Sequence, residues 1–448
     1  MSLADSLPAL SPVARRANVE VVTHRLANGV EVWIVPRREI PLVSARLVVR
    51  GGRTLDPAHE PGFADLLAAA LKEGTLHRTG PELAGDFQAA GGELFTAATD
   101  DALVAGSTVL AAHGDALVSL LHEVVAAPAF PDAGIARVRS LAAEELETDE
   151  SDPAFLASRA FRQALYDEHP YGRTRPGLEV IEALTLERLR LEAARRLTPD
   201  RTLLVIVGDV DTGGVFRTVE ATFGAWSAEA EPLASHAAPA PENTPPALIR
   251  IVDRPGSVQT VLMVGNVGVS RLDADAFPLE LATTIYGASF SSRLVANLRE
   301  DKGYTYSPRV SSRWLALRGP VQTIAAVRNE VTGAALAEIL YELSRMGSTE
   351  VTDEELLRAR SRDAGAHAIA LESAEALAAA LASLWLSGLA PDSLDRYVDA
   401  LASIDKPALR RVARRYLSPG RARIVAVGDA ALIRAELAPF GVIDDTGP

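Results

Sequence analysis

Residues 195–209 read Arg195-Arg196-Leu197-Thr198-Pro199-Asp200-Arg201-Thr202-Leu203-Leu204-Val205-Ile206-Val207-Gly208-Asp209. Near the other end, the chain reads Arg414-Arg415-Tyr416-Leu417-Ser418-Pro419-Gly420-Arg421-Ala422-Arg423-Ile424-Val425-Ala426-Val427-Gly428-Asp429. Pro199, Arg201, Gly208 and Asp209 recur at one common offset as Pro419, Arg421, Gly428 and Asp429. Each copy has the signature of a helix end, a proline turn, a buried branched strand and a Gly-Asp stop. Identities at a single offset in like surroundings point to two equivalent halves.

Between the copies, Pro232, Pro239, Pro241, Pro245 and Pro246 stand among small and acidic residues, a composition that resists helix and sheet. This divides the chain into an N-terminal domain (1–232), a linker (233–249) and a C-terminal domain (250–448). Both domains open with strand patterns. In the first, Glu20–Thr23 and Val30–Pro36 flank the Asn28-Gly29 turn signal, and Leu42–Arg50 follows; in the second stand Leu248–Val252 and Gln259–Val267. Long alanine- and leucine-rich helical patterns come next: Gly62–Glu73, Asp132–Thr148 and Ala154–Leu165, then Phe277–Tyr286 and Asp353–Ala370. Strands segregated from helices predict an α+β class, with two homologous α+β domains facing each other across a cleft as a half-clamshell.

The 448 residues are 48% hydrophobic and 23% charged, an ordinary globular composition long enough to bury large cores. With no cysteine, disulfides and thiolate metal sites are excluded. The net charge of −14 and the lack of a basic run argue against nucleic acid as a partner and mildly favour basic peptides. The apolar stretches Ala64–Leu71 and Ala376–Leu386 are too short to span a bilayer, and Met1–Glu20 has no continuous apolar block. The expected location is cytoplasmic, or periplasmic had a signal peptide been removed. No G-x-G-x-x-G, G-x-x-x-x-G-K or G-x-S-x-G pattern is present, which leaves nucleotide binding and serine hydrolysis without support.

Two segments carry chemistry. The first runs Gly62-Phe63-Ala64-Asp65-Leu66-Leu67-Ala68-Ala69-Ala70-Leu71-Lys72-Glu73-Gly74-Thr75. A helical zinc site needs two imidazoles one turn apart, a third ligand and a base beside the bound water. No two of the eight histidines lie within a helical turn of each other. Asp65 is explained as an early-helix acid that complements the helix dipole. The second segment runs Ser291-Ser292-Arg293-Leu294-Val295-Ala296-Asn297-Leu298-Arg299-Glu300-Asp301-Lys302-Gly303-Tyr304-Thr305-Tyr306-Ser307. Spacing alone favours a bland account, with Arg299 paired to Glu300 or Asp301 and Tyr306 packed beside Trp314.

Taken together, these segments resemble the insulinase, pitrilysin and mitochondrial-processing-peptidase family. The first is similar to that family's helix carrying H-x-x-E-H, opened by Gly and closed by Gly-Thr. On that alignment the zinc-binding histidines fall on Asp65 and Ala69, and the general-base Glu falls on Ala68. The stretch Leu141–Leu146 resembles the family's third-ligand region, with Glu145 at the ligand position. Asp65 and Glu145 alone would hold a cation weakly. Gly91–Thr99 resembles the family's cleft-edge strand, where Phe95 replaces the usual Asn, so a plain edge strand is expected. The second segment resembles the family's C-domain signature, in which a helix bearing Leu-Arg-Glu passes over a Gly turn into a strand beginning Tyr-Ser. The resemblance implies that Arg299 and Tyr306 bind substrate backbone. It implies no catalytic and no metal residue in this chain, no peptidase activity from the chain alone, and zinc supplied by a homologous H-x-x-E-H-bearing partner subunit. The alternative is a peptide-binding or assembly protein of the same fold with no proteolytic partner.

Overall fold

The computed structural model describes residues 19–228, 236–237 and 248–444. Most of the 233–249 linker, and the stretch before Val19, lie outside these residues. The first half supplies six strands: β1 (Val22–Arg25), β2 (Glu31–Pro36), β3 (Leu42–Arg50), β4 (Phe95–Ala98), β5 (Ala102–Leu110) and β6 (Thr202–Gly208). The second half supplies β7 (Leu248–Asp253), β8 (Gln259–Val267), β9 (Arg309–Ser312), β10 (Pro320–Arg328), β11 (Arg423–Gly428) and β12 (Val442–Asp444).

The sheet orders are β1-β2-β6-β3-β5-β4 and β12-β7-β11-β8-β10-β9. From β2 and β7 onward they match strand for strand. In each, one parallel pair (β2 with β6, β7 with β11) is followed by antiparallel neighbours. The repeat that divides the sequence supplies the central strands β6 and β11, which are buried along their whole length. The helices Leu186–Arg196 and Lys406–Tyr416 precede them, each through a one-turn 3-10 segment at the shared proline. Only the outer strand differs: β1 arrives by a hairpin and runs antiparallel, whereas β12 comes from the chain's end and runs parallel.

The compact units are not contiguous in sequence. Among the described residues, one comprises 19–228 with 371–392, and the other comprises 248–370 with 393–444. The Ala374–Leu386 helix, which lies in the second half of the sequence, packs on β3 and β6. Arg50 donates from Nη2 to the Trp385 carbonyl at 2.5 Å and stacks on the Trp385 ring at 4.1 Å. This explains the uniform burial of β6. Leu204 and Ile206 enter the main core, and Leu203, Val205 and Val207 face the opposite way.

In the first unit the Phe63–Ala70 helix is pinned at its start. Gly62 adopts φ 80°, and a Cβ there would come within 2.1 Å of the Pro176 nitrogen. Asp56 accepts from the amides of Gly62 (2.8 Å) and Ala64 (3.0 Å) and is itself held by the fully buried Arg196 at 2.8 Å. In the second unit an aspartate also stands at a helix start, but it makes no side-chain bond to the helix amides. Asp275, at the start of the Ala276–Thr283 helix, accepts from Tyr416 Oη at 3.0 Å and pairs with Arg411 at 2.5 Å. Among the described residues no single helix is long and apolar enough to cross a membrane.

Candidate functional site

The Phe63–Ala70 helix, β4 and the Asp132–Ser151 helix together border a cavity of about 390 Å³, lined among others by Ala68, Ala69, Ala97, Ala142, Leu146 and Asp65. Thr96 Oγ1 donates to the Ala68 carbonyl at 2.6 Å and fastens β4 to the helix. Each of the three acids that reach this cavity from the two helices is held by an arginine. Arg53 grips Asp65 with both arms, Nε to Oδ2 and Nη2 to Oδ1, each at 2.7 Å. Arg175 pairs with Glu145 and, at 3.2 Å, with Asp149. Asp65 is therefore both the first-turn acid expected from sequence and one half of a bidentate ion pair.

This donor set does not fit zinc. Two positions offer only methyl groups, and a third offers a carboxylate saturated by a guanidinium. Arg53 and Arg175 supply the positive charge that a metal would otherwise bring. Among the described residues no three His, Asp or Glu side chains are grouped so as to hold an ion. Neither arginine was singled out from sequence, because Arg53 and Arg175 lie outside the helices they neutralise and carry no motif of their own.

In the second unit, Ser292 caps a short helix by accepting from the Val295 amide at 3.4 Å. The helix widens into a π-helical turn over Ala296–Asp301, so the Lys302 amide reaches back to the Asn297 carbonyl at 3.0 Å. Gly303, at φ 62°, then reverses the chain. Buried Leu294 and Leu298 anchor one face of the segment. Arg293 forks onto Glu355 at 2.6 and 2.9 Å, and Asn297 donates to Glu338 and Glu342, each at 2.9 Å. These contacts fix the segment on its neighbours and leave Arg299 at the mouth of a separate cavity of about 300 Å³.

Arg299 is held between two rings. Its guanidinium carbon lies 4.8 Å from the Phe290 ring centre and 4.6 Å from that of Tyr306, and Nε pairs with Glu300 at 3.2 Å. The rings are 72% and 79% exposed, so they are presented to solvent rather than packed in a core. Tyr306 contacts Arg299, whereas Trp314 lies under Arg271 at 5.8 Å. Phe290 escaped the sequence reading; its only signal was an aromatic directly before the Ser-Ser that opens the helix. One detail differs from expectation. The strand expected to begin at Tyr306 begins at Arg309, because Pro308 has no amide proton to donate to a ladder.

Two matched six-stranded α+β units, one with a dismantled metal helix and the other with a stacked Arg/Tyr pair, define a peptidase-like chain whose own residues do not make a zinc site. The family description "Insulinase (Peptidase family M16)" matches residues 34–177, and "Peptidase M16 inactive domain" matches residues 183–362. The chain belongs to the insulinase-like M16 family. It is similar to an uncharacterized zinc protease of Streptomyces coelicolor, at 25% identity over 82% of this chain and 80% of that one. It also resembles an uncharacterized zinc protease of Mycobacterium bovis, at 26% identity over 77% and 79% of the two chains. Among solved structures, a peptidase M16 inactive domain from Pseudomonas fluorescens superposes with TM-score 0.85 at 26% identity, over 92% of this chain and 98% of that one. A protease from Helicobacter pylori shares the fold with TM-score 0.83 at 19% identity, over 92% and 100% of the two chains.

Proposed function

We propose that this chain is the substrate-positioning subunit of a heteromeric zinc peptidase. A homologous partner would bear H-x-x-E-H and supply the metal, the base and the attacking water. The observation that carries this reading is a contrast within one chain: the metal position is filled by methyls and ion pairs, while half-buried Arg299 stacks on the exposed Tyr306 at the mouth of a cavity. An extended peptide presents carbonyl acceptors whatever its sequence. A guanidinium stacked close to two rings keeps its Nη groups available for such acceptors, and the Tyr306 hydroxyl adds one more donor. A hydrogen bond from a charged donor contributes roughly 1.5–3 kcal/mol, which suits alignment of a peptide better than its sole retention.

The test is reconstitution. The isolated chain should hydrolyse no peptide, and addition of a homologous H-x-x-E-H-bearing chain should produce chelator-sensitive cleavage. Arg299→Ala in that pair should then lower kcat/KM by about 10- to 100-fold. Full turnover by the Arg299→Ala pair would remove the positioning role.

A further inference from the structure

The Arg299 cavity carries a charge that backbone recognition alone does not require. Its walls include Gly287, Phe290, Arg299, Tyr306, Arg309 and Val310. No carboxylate lines it, although the protein as a whole has a net charge of −14. Two arginines do. Arg309 is exposed at the first position of the edge strand β9, and its side chain has no hydrogen-bond or ion-pair partner among the described residues. Arg299 commits only Nε, to Glu300 outside the cavity lining, and its two Nη groups carry no partner.

The backbone around the cavity is also unusual. Its rim is built from both π-helical turns found among the described residues, Thr284–Ala288 and Ala296–Asp301. Such turns cost hydrogen-bond geometry and concentrate at functional sites. Gly287 lets the first of them pass close to β9, since a Cβ there would meet Val310 Cγ2 at 2.1 Å.

We infer that this cavity receives a carboxylate of the bound peptide, flanked by an apolar or aromatic residue. This deepens the peptide-positioning reading above and rests on it. Stacked close to Phe290 and Tyr306, the Arg299 guanidinium keeps both Nη groups without a partner among the described residues, and such a fork gives a carboxylate two N–H bonds. Arg309 adds a second cation, and the ring faces take the neighbouring side chain. The carboxylate comes either from an acidic side chain or from the peptide's C-terminus.

Four fluorescein-labelled ten-residue peptides separate these sources: a Ser/Leu frame with one central Glu or Gln, each as the free acid and as the C-terminal amide. Binding to the full chain is read by anisotropy. The Glu amide should bind about 10-fold more tightly than the Gln amide. Arg309→Gln should narrow that difference, Arg309→Lys should keep most of it, and the double variant Arg299→Gln with Arg309→Gln should abolish it. If the free-acid Gln peptide is the one that gains over its amide, the chain terminus is the ligand, and the carboxylate inference stands. Equal binding of all four, or a Glu preference that survives the Arg299→Gln and Arg309→Gln double variant, overturns the inference and leaves the peptide-positioning role intact. Failure of every peptide to bind, with or without an H-x-x-E-H-bearing chain present, overturns both.

Discussion

Ala68 and Ala69 set the chemistry of the first unit, but they do not act alone. Arg53 holds Asp65, and Arg175 holds Glu145 and Asp149, so restoring ligands would not restore the site. The triple variant Asp65→His, Ala68→Glu, Ala69→His should retain only substoichiometric zinc after dialysis, measured by elemental analysis. Adding Arg53→Gln and Arg175→Gln should raise the bound metal, because two like charges no longer oppose the ion. Stoichiometric zinc in the triple variant would show that the guanidinia do not exclude it. Glu280 supports a second residue-level prediction. Burial pushes its carboxyl from the ordinary 4.5 up to about 7, with Asp363 raising it further while Tyr397 Oη, donating at 2.9 Å, and Arg271 and Arg362 pull the other way. The folded state therefore holds this proton more tightly than the unfolded chain does. The resulting stabilisation is complete below about pH 4.5 and is lost as pH rises through about 7, an effect on the order of 3 kcal/mol. Urea midpoints should fall over that window in the wild type, and Glu280→Gln, which keeps an acceptor for Tyr397, should flatten the fall.

The elements were legible where a local pattern decides them. The runs read as Leu42–Arg50, Gln259–Val267 and Asp353–Ala370 are observed with those bounds, because alternation, apolar runs and helical spacing are properties of neighbours in sequence. The Gly91–Thr99 stretch yields the plain edge strand β4. The π-helical turns were not legible. The Phe277–Tyr286 pattern continues past the end of the α-helix at Thr283 into the first of them, since side-chain periodicity does not record a change in hydrogen-bond register. Nor was the attachment of the Phe63–Ala70 helix visible, because Asp56 reaches it from outside and Arg196 reaches Asp56 from far along the chain. Both side chains are fully buried, and Arg196 keeps Glu192 at 2.8 Å as its other acid, so Asp56→Ala would leave the Gly62 and Ala64 amides without their acceptor and one arm of the guanidinium unpaired, at a cost of about 1–3 kcal/mol. Chemical denaturation measures this loss. A loss below 1 kcal/mol, with the helix amides still slow in hydrogen exchange, would mean that other contacts hold the helix.

At the scale of the molecule, the repeat predicts two halves, and the structure makes two units, but the cut in the sequence is not the cut in space. Residues 371–392 belong to the unit formed by residues 19–228, and nothing in an alanine-rich amphipathic pattern says which sheet it will cover. The Ala374–Leu386 helix buries Leu377, Leu381, Leu384 and Trp385, and it packs on β3 and β6. At about 1.5–3 kcal/mol for each large apolar side chain removed from water, four such residues give on the order of 10 kcal/mol, comparable to the whole net stability of a typical domain. A fragment ending near residue 239 should therefore expose Leu203, Val205 and Val207, bind an apolar dye, and aggregate rather than unfold cooperatively. The same fragment with residues 371–392 joined through a flexible linker should be monomeric, dark to the dye and cooperative in urea. Should the shorter fragment melt in one sharp transition without binding dye, the helix would be an ornament of the first unit rather than part of its core, and the sequence boundary would also be the folding boundary.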